Sequence, residues 1–184
     1  MTVRNLFLLP GDGIGPEAMG EVRKIIAYMN EAMNAGFVTD EGLVGGSAYD
    51  AHGAAISEDD MKKALAADAV LFATPEYNRS VPAVLKNAID VGSRPLVKSA
   101  WRGKSAAVVS VSPGALAAFG ANHHLRQSLV ALDMPTLQQP EAYLGSVANL
   151  VDEEGNIINE TTRQFLTKFM STFAQWIEVQ RCRP

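Results

Sequence analysis

The stretch LLPGDGIGPE, Leu8–Glu17, runs from apolar residues into three glycines, Gly11, Gly13 and Gly15, spaced two apart, and then into Pro16. The apolar run before it and a proline suited to a first helical turn after it make a strand, a tight loop and a helix. Loops of this kind usually turn backbone N–H groups toward a phosphate. This one carries Asp12 and Glu17, with no Lys, Arg, Ser or Thr between them. What it holds has to be read from the rest of the chain.

Working outward, Val3–Leu9 is a short, nearly continuous apolar run, the mark of a strand buried on both faces. Met19, Val22, Ile25, Ile26 and Met29 recur at helical spacing. The alternation then continues to the end of the chain. Phe37–Val44 reads as a strand closed by Gly45-Gly46. Ser57, with Asp60 three residues on, resembles a capping box, with Met61, Leu65 and Ala66 on one face of the helix that follows. Ala69–Ala73 is a third strand. Pro82 opens a helix to about Asp90 with Val84, Leu85, Ala88 and Ile89 inward, and Ser105–Val111 is a fourth strand. A helix over His123–Leu132, a short strand around Thr136–Leu137 and a final helix capped by Asn159 complete the pattern. Phe165, Phe169, Phe173 and Ile177 mark the inner face of that last helix.

Strands alternating with helices predict a single α/β domain, a doubly wound five-stranded parallel sheet of order 2-1-3-4-5 with helices on both faces. Ligands of such sheets bind at the C-terminal ends of strands one, three and four. The loops there are Pro10–Gly15, Pro75–Val81 and Ser112–Gly120.

Composition narrows the function. With 184 residues the chain can bury a real core, and 47% apolar against 20% charged residues is a globular balance. A net charge of -4 without Lys or Arg runs argues against nucleic acid. Cys182 is the one cysteine, so no internal disulfide forms, and no Cys or His neighbours it at metal-ligand spacing. No apolar run reaches the length of a membrane span, and Val3–Leu9 is too short for a signal peptide. A cytoplasmic protein with no membrane partner is the expectation.

Two resemblances meet inside the third strand. LLPGDGIGPEAMGEVRKII, LVGGSAYDAHGAAIS and LAADAVLFA resemble the opening of 3-isopropylmalate dehydrogenases, in order and in register, over residues 1–72 or so. From about residue 73 to 184, TPEYNRSVPAVLKNAID, GKSAAVVSVSPGALAAFGANHHLRQSLVALDMPTLQQPEAYLG and FLTKFMSTFAQWI are similar to flavodoxin-like NADPH-dependent FMN reductases of the quinone and chromate reductase class. Three separate segments matching in register argue against chance likeness, and the chain reads as a chimera with its seam near 68–74. An apolar strand after an Ala-Asp turn suits either family, so the inward pattern survives a cut there.

The first resemblance implies NAD-linked, metal-assisted oxidation of a 2-hydroxy acid. The Arg, Tyr, Lys and Asp residues that this chemistry needs come later in that family's chain, so isopropylmalate dehydrogenase activity is not expected. The second implies a flavodoxin-like fold, an FMN reduced by NADPH or NADH, and a small-molecule electron acceptor. It places Pro75, Glu76, Tyr77 and Asn78 around the edge of the flavin ring and Ser112, Pro113 and Gly114 in a second flavin loop. Gly11 and Gly13 stand where the reductases put a Ser-, Arg- and Asn-bearing phosphate loop. Backbone N–H groups and a helix start remain there, but Asp12 and Glu17 repel a phosphate unless Asp12 points away. FMN binding is therefore expected to be weak or absent. The resemblance also implies a homodimer or homotetramer, through Pro82–Ser93 and His123–Ala131. The alternative is an engineered structural chimera with a stable fold and no catalysis.

The histidines offer little else. His123 and His124 are adjacent and point to different sides of a helix, so they cannot share a metal. His52 lies in a Gly/Asp turn, and Glu58, Asp59 and Asp60 suit a helix's first turn. Arg79 could face the flavin, a nucleotide phosphate or a neighbouring subunit.

Overall fold

Strand and helix alternate as the apolar periodicity requires in the computed structural model, which describes residues 4–12, 15–34, 36–152 and 156–181. The chain divides into two units, Met1–Ala67 and Asp68–Pro184, and the division falls at the predicted seam.

In the first unit, β1 (Arg4–Leu8) pairs in parallel with β2 (Phe37–Glu41), in register from Arg4↔Phe37 to Leu8↔Glu41. The crossover is α1 (Gly15–Met33), with Pro16 in its first turn and Ile26 and Met29 buried. The Asn30 carboxamide donates to Phe37 O at 2.9 Å and accepts from Phe37 N at 2.8 Å, which ties the end of α1 to the start of β2. β1 is not buried on both faces as its composition predicts: Asn5 is exposed, Leu6 and Phe7 are half-buried, and Leu8 is buried. β2 stops at Glu41, short of Val44, and Val38–Glu41 are exposed. Its carboxylates instead pair outward, Asp40 with Lys63 at 2.7 Å and Glu41 with Arg23. α2 (Gly46–His52) and α3 (Glu58–Ala66) complete the unit. Ser57 caps α3 by accepting from Asp60 N at 3.0 Å. The Asp60 carboxylate accepts from Leu43 N at 3.3 Å, so only half of the predicted capping box forms. No residue of α3 is buried, and Leu65 and Ala66 are exposed, contrary to the predicted inner face.

The second unit is built on β3 (Ala69–Thr74), β4 (Ser105–Val111) and β5 (Ala142–Leu144), all parallel and in that order. β4 lies in the middle, and Ser105–Ser110 are all buried. Phe72, Ala106 and Val108 pack against Ile89 of α4 (Ala83–Gly92), Leu125 and Leu129 of α5 (Phe119–Ala131), and Met134. By strand alternation Ala107 and Val109 face the other side, where α6 (Glu160–Arg181) buries Leu166, Phe169, Met170 and Phe173. Asn159 caps α6 through Thr162 N at 2.9 Å, as its sequence predicts.

Three expectations are corrected in this unit. Val84 is 65% exposed, because the arc set by Leu85, Ala88 and Ile89 leaves it outside. α5 begins at Phe119, four residues ahead of His123. The fifth strand is Ala142–Leu144 rather than Thr136–Leu137, and Thr136 makes only an isolated bridge to Ala106. Pro135 and Pro140 flank that segment and supply no N–H for a ladder. The neighbour pairs 2-1 and 3-4-5 of the predicted order are present, each within its own unit; the β1–β3 neighbourhood stays an expectation.

Candidate functional site

Thr74 ends β3 buried, with its hydroxyl donating to Pro75 O at 2.8 Å. Beyond it, Tyr77 and Ser80 exchange both backbone hydrogen bonds at 3.0 Å, and Asn78 and Arg79 between them have φ of 51° and 66°. Two positive φ values inside a two-residue turn make it type I′. Glu76 is turned inward. Its Oε2 accepts from Ala121 N at 3.0 Å in the first turn of α5, while Arg79 Nη1 lies 3.7 Å from Oε1. A Cβ on Gly120 would sit 2.6 Å from Arg79 O and 2.8 Å from Glu76 Oε2, so only glycine admits the loop this close. Of the predicted flavin-edge residues, Glu76 therefore clamps the loop, and Tyr77 and Asn78 are the exposed ones.

The loop after β4 is pinned from beneath. Ser110, facing α5, donates to Ala117 O at 2.8 Å and accepts from the buried Asn122 Nδ2 at 3.1 Å. Arg126 Nε donates to Asn122 Oδ1 at 2.8 Å and Arg126 Nη1 to Leu137 O at 2.9 Å. This chain holds Ala117 and Ala118 buried at φ of 53° and 56°, a conformation that costs free energy and persists only under such constraint. Ser112 N donates to Leu144 O at 2.9 Å, and Gly114 O accepts from Ala117 N and Ser146 N, both at 3.2 Å. Pro113 and Gly114 are exposed. A Cβ on Gly114 would meet only Ser112 Oγ, at 3.9 Å, so internal packing does not require this glycine. The two predicted loops are joined at the first turn of α5: one runs into Phe119, the other is held by Ala121.

Next to them, Tyr143 of β5 donates to Glu141 Oε1 at 2.8 Å and shares a hydrogen bond of 3.1 Å with His123 Nε2. Burial, with the Glu141 carboxylate next, pushes the Tyr143 phenol up to about 12. The Phe119 ring lies 4.1 Å from that of His123. His124 turns away to Ser80 Oγ at 3.0 Å, as adjacent helical positions dictate. Gly120, Ser110 and Tyr143 escape the sequence reading. A serine at an inward strand position was the available signal for Ser110.

In the first unit, the glycine loop's Asp12 is committed locally. Its Oδ1 accepts from Ser47 N at 2.8 Å and its Oδ2 from Gly46 N, at the start of α2. The Ser47 and Gly46 amides hold this carboxyl below the usual aspartate range. Gly45, at φ 88°, is the glycine that makes room, since a Cβ there would collide with Asp12 Oδ2. Gly11 takes φ 69° ahead of it. Gly13 lies outside the described residues, as does Cys182. Thus the acidic loop holds a helix start of its own unit. Among the described residues no three His, Cys, Asp or Glu side chains could hold a metal. Two open depressions, beside α6 and the 132–138 turn, are not lined by any of these loops.

The family model of NADPH-dependent FMN reductases matches residues 41–149, which include both loops of the second unit. A quinone reductase of Pseudomonas putida is 64% identical over 114 residues, 62% of this chain and 61% of that protein. A 3-isopropylmalate dehydrogenase of Rhizobium johnstonii is 94% identical over 72 residues, 39% of this chain and 20% of that protein. The chain thus spans about three fifths of the reductase and one fifth of the dehydrogenase, and it is a chimera of the two kinds of sequence. Among solved structures, FerB of Paracoccus denitrificans, titled a flavoenzyme NAD(P)H:(acceptor) oxidoreductase, matches with a TM-score of 0.75 and 29% identity, covering 97% of this chain and 99% of that one. Flavodoxins match at lower identity, and the flavodoxin-like α/β class is shown.

Proposed function

Because the chain belongs to the NADPH-dependent FMN reductase family, we propose that its second unit holds the ring of an FMN and serves as an NAD(P)H-dependent oxidoreductase acting on quinone-type acceptors. The observation that carries this reading is the pair of loops at the C-terminal ends of β3 and β4, each pinned through α5 and each presenting unused polar groups. No hydrogen bond within the described residues uses the Asn78 carboxamide or the N–H groups of Gly114 and Ala115. A flavin's pyrimidine edge alternates acceptors and a donor, so these groups fit it. The flavin, when bound, supplies the hydride chemistry. The chain's part is to bind and orient: Tyr77 offers a ring face, Asn78 pairs with the edge, and Glu76 and Gly120 keep the loop still. Overall, NAD(P)H, a proton and a quinone become NAD(P)+ and a hydroquinone.

The phosphate should add little. The reductase phosphate loop is replaced by one whose Asp12 already engages the start of α2. Ring contacts then carry the affinity, and FMN gains little over riboflavin. A homodimer or homotetramer is also part of the proposal. Val84 and Val91 on α4 and Val130 on α5 are more than half exposed, on the two segments the family resemblance implicates.

Titration of the purified chain with FMN and riboflavin, followed by flavin fluorescence, tests the reading, with NADPH oxidation by a quinone as the second step. Similar binding of both flavins supports it. Tight FMN and no riboflavin binding overturns the account of the phosphate. Binding of neither leaves a folded chimera without catalysis.

A further inference from the structure

The turn at Asn78-Arg79 carries an unexpected residue for its backbone. The second central position of a type I′ turn favours glycine, yet Arg79 stands there at φ 66°. An arginine in the left-handed region costs free energy, and the fold recovers little from its side chain. The Arg79 side chain is 73% exposed, and its ion-pair partner, Glu76 Oε1, is 3.7 Å away. The other oxygen of Glu76 is occupied by Ala121 N. An exposed ion pair at that distance contributes little to stability. Beside it, Ser80 Oγ bonds His124 Nδ1 at 3.0 Å. With Nδ1 accepting the serine proton, the exposed imidazole turns an Nε2–H donor outward.

Resting on the oxidoreductase reading above, we propose that Arg79 and His124 receive a phosphate monoester, the 2′-phosphate that distinguishes NADPH from NADH. The guanidinium offers two parallel N–H donors to phosphate oxygens, a geometry lysine cannot supply, and the imidazole offers a third donor. Strain at Arg79 is thereby explained by recognition rather than by folding. The flavin's own phosphate presents the same chemistry, and the test separates the two.

The experiment is calorimetric titration of the full chain, and of its Arg79→Gly and His124→Gln variants, with adenosine 2′,5′-bisphosphate, 5′-AMP, FMN and riboflavin. The wild type should bind the bisphosphate about ten-fold or more tightly than 5′-AMP, the gain of one charge-assisted contact set. Arg79→Gly should bring that ratio close to one and still melt higher than the wild type, because glycine suits φ 66°. His124→Gln should lower the ratio part of the way. A wild type without preference for the bisphosphate, or an Arg79→Gly chain that keeps it, overturns the proposal. So does an Arg79→Gly chain that loses only a preference for FMN over riboflavin, since the phosphate is then the flavin's. Riboflavin binding by the wild type reads the flavin site separately, so either conclusion can fail without the other.

Discussion

Placing a methyl group on Gly120 sets helix propensity against packing at one atom. Gly120 is the second residue of α5, where Gly→Ala gains up to about 1 kcal/mol in a helix interior and less in a first turn. Against that, the new Cβ would lie 2.6 Å from Arg79 O, 2.8 Å from Glu76 Oε2 and 3.3 Å from Arg79 C. The Glu76 carboxylate can swing aside only by releasing Ala121 N, and the Arg79 carbonyl can yield only if the type I′ turn moves. Overpacking of this kind costs about 1–3 kcal/mol. The balance is a net loss of about 1–2 kcal/mol, which for a chain of this size lowers Tm by roughly 2–8 °C. Because the displaced turn carries Tyr77 and Asn78, riboflavin affinity should fall about five- to thirty-fold in the same variant. Thermal melts and a riboflavin fluorescence titration read the two effects. A Gly120→Ala chain that melts higher and binds riboflavin as the wild type does would refute the clamp.

Three further outcomes follow from the same structure. Asp12 has a folded-state pKa below its ordinary 3.8, so its bonds to Ser47 and Gly46 add stability above about pH 4 that vanishes as pH falls through the lower folded value. Denaturant melts across that acid range should show a shallower pH dependence in Asp12→Asn than in the wild type, and equal slopes would contradict it. Tyr143, held neutral with its pKa pushed up from 10.0 to about 12, contributes below pH 10 and loses that contribution as pH rises toward 12. A spectrophotometric alkaline titration should show a late tyrosine that Tyr143→Phe removes. Hydrogen exchange should be faster in the first unit, whose described core is Leu8, Ile26, Met29 and Ala48, than in β4, buried from Ser105 to Ser110, and on the inner face of α5, where Ala121, Asn122, Leu125 and Leu129 are buried. Equal protection of β1 and β4 would count against that ranking.

Much of the architecture was legible along the chain because periodicity is a local property. Ser105–Val111 reads as a buried strand and is one, and Asn159 and Ser57 cap the helices they precede. The seam near 68–74 was legible for the same reason, since each family's pattern is written residue by residue. Thr136–Leu137 was misread because a β-branched residue beside an apolar one looks like a strand whether or not a neighbour lies in register; Val109 and Val111 instead find Ala142 and Leu144. Val84 was misread because the buried arc of α4 depends on what packs against it.

The sequence by itself marked three turn segments by residue type: the glycine loop of the first unit, and Pro75–Asn78 and Ser112–Gly114 of the second. Only the tertiary structure decided what each side chain does there. Asp12 is bonded to the start of α2, thirty-four residues away, Glu76 to Ala121, forty-five away, and Ser110 to Asn122. An acidic residue in a loop reads as a charge offered to a ligand until a distant backbone N–H is found to claim it. Residue type sets which bonds a side chain can make, whereas the fold chooses among partners that are close in space and far along the chain.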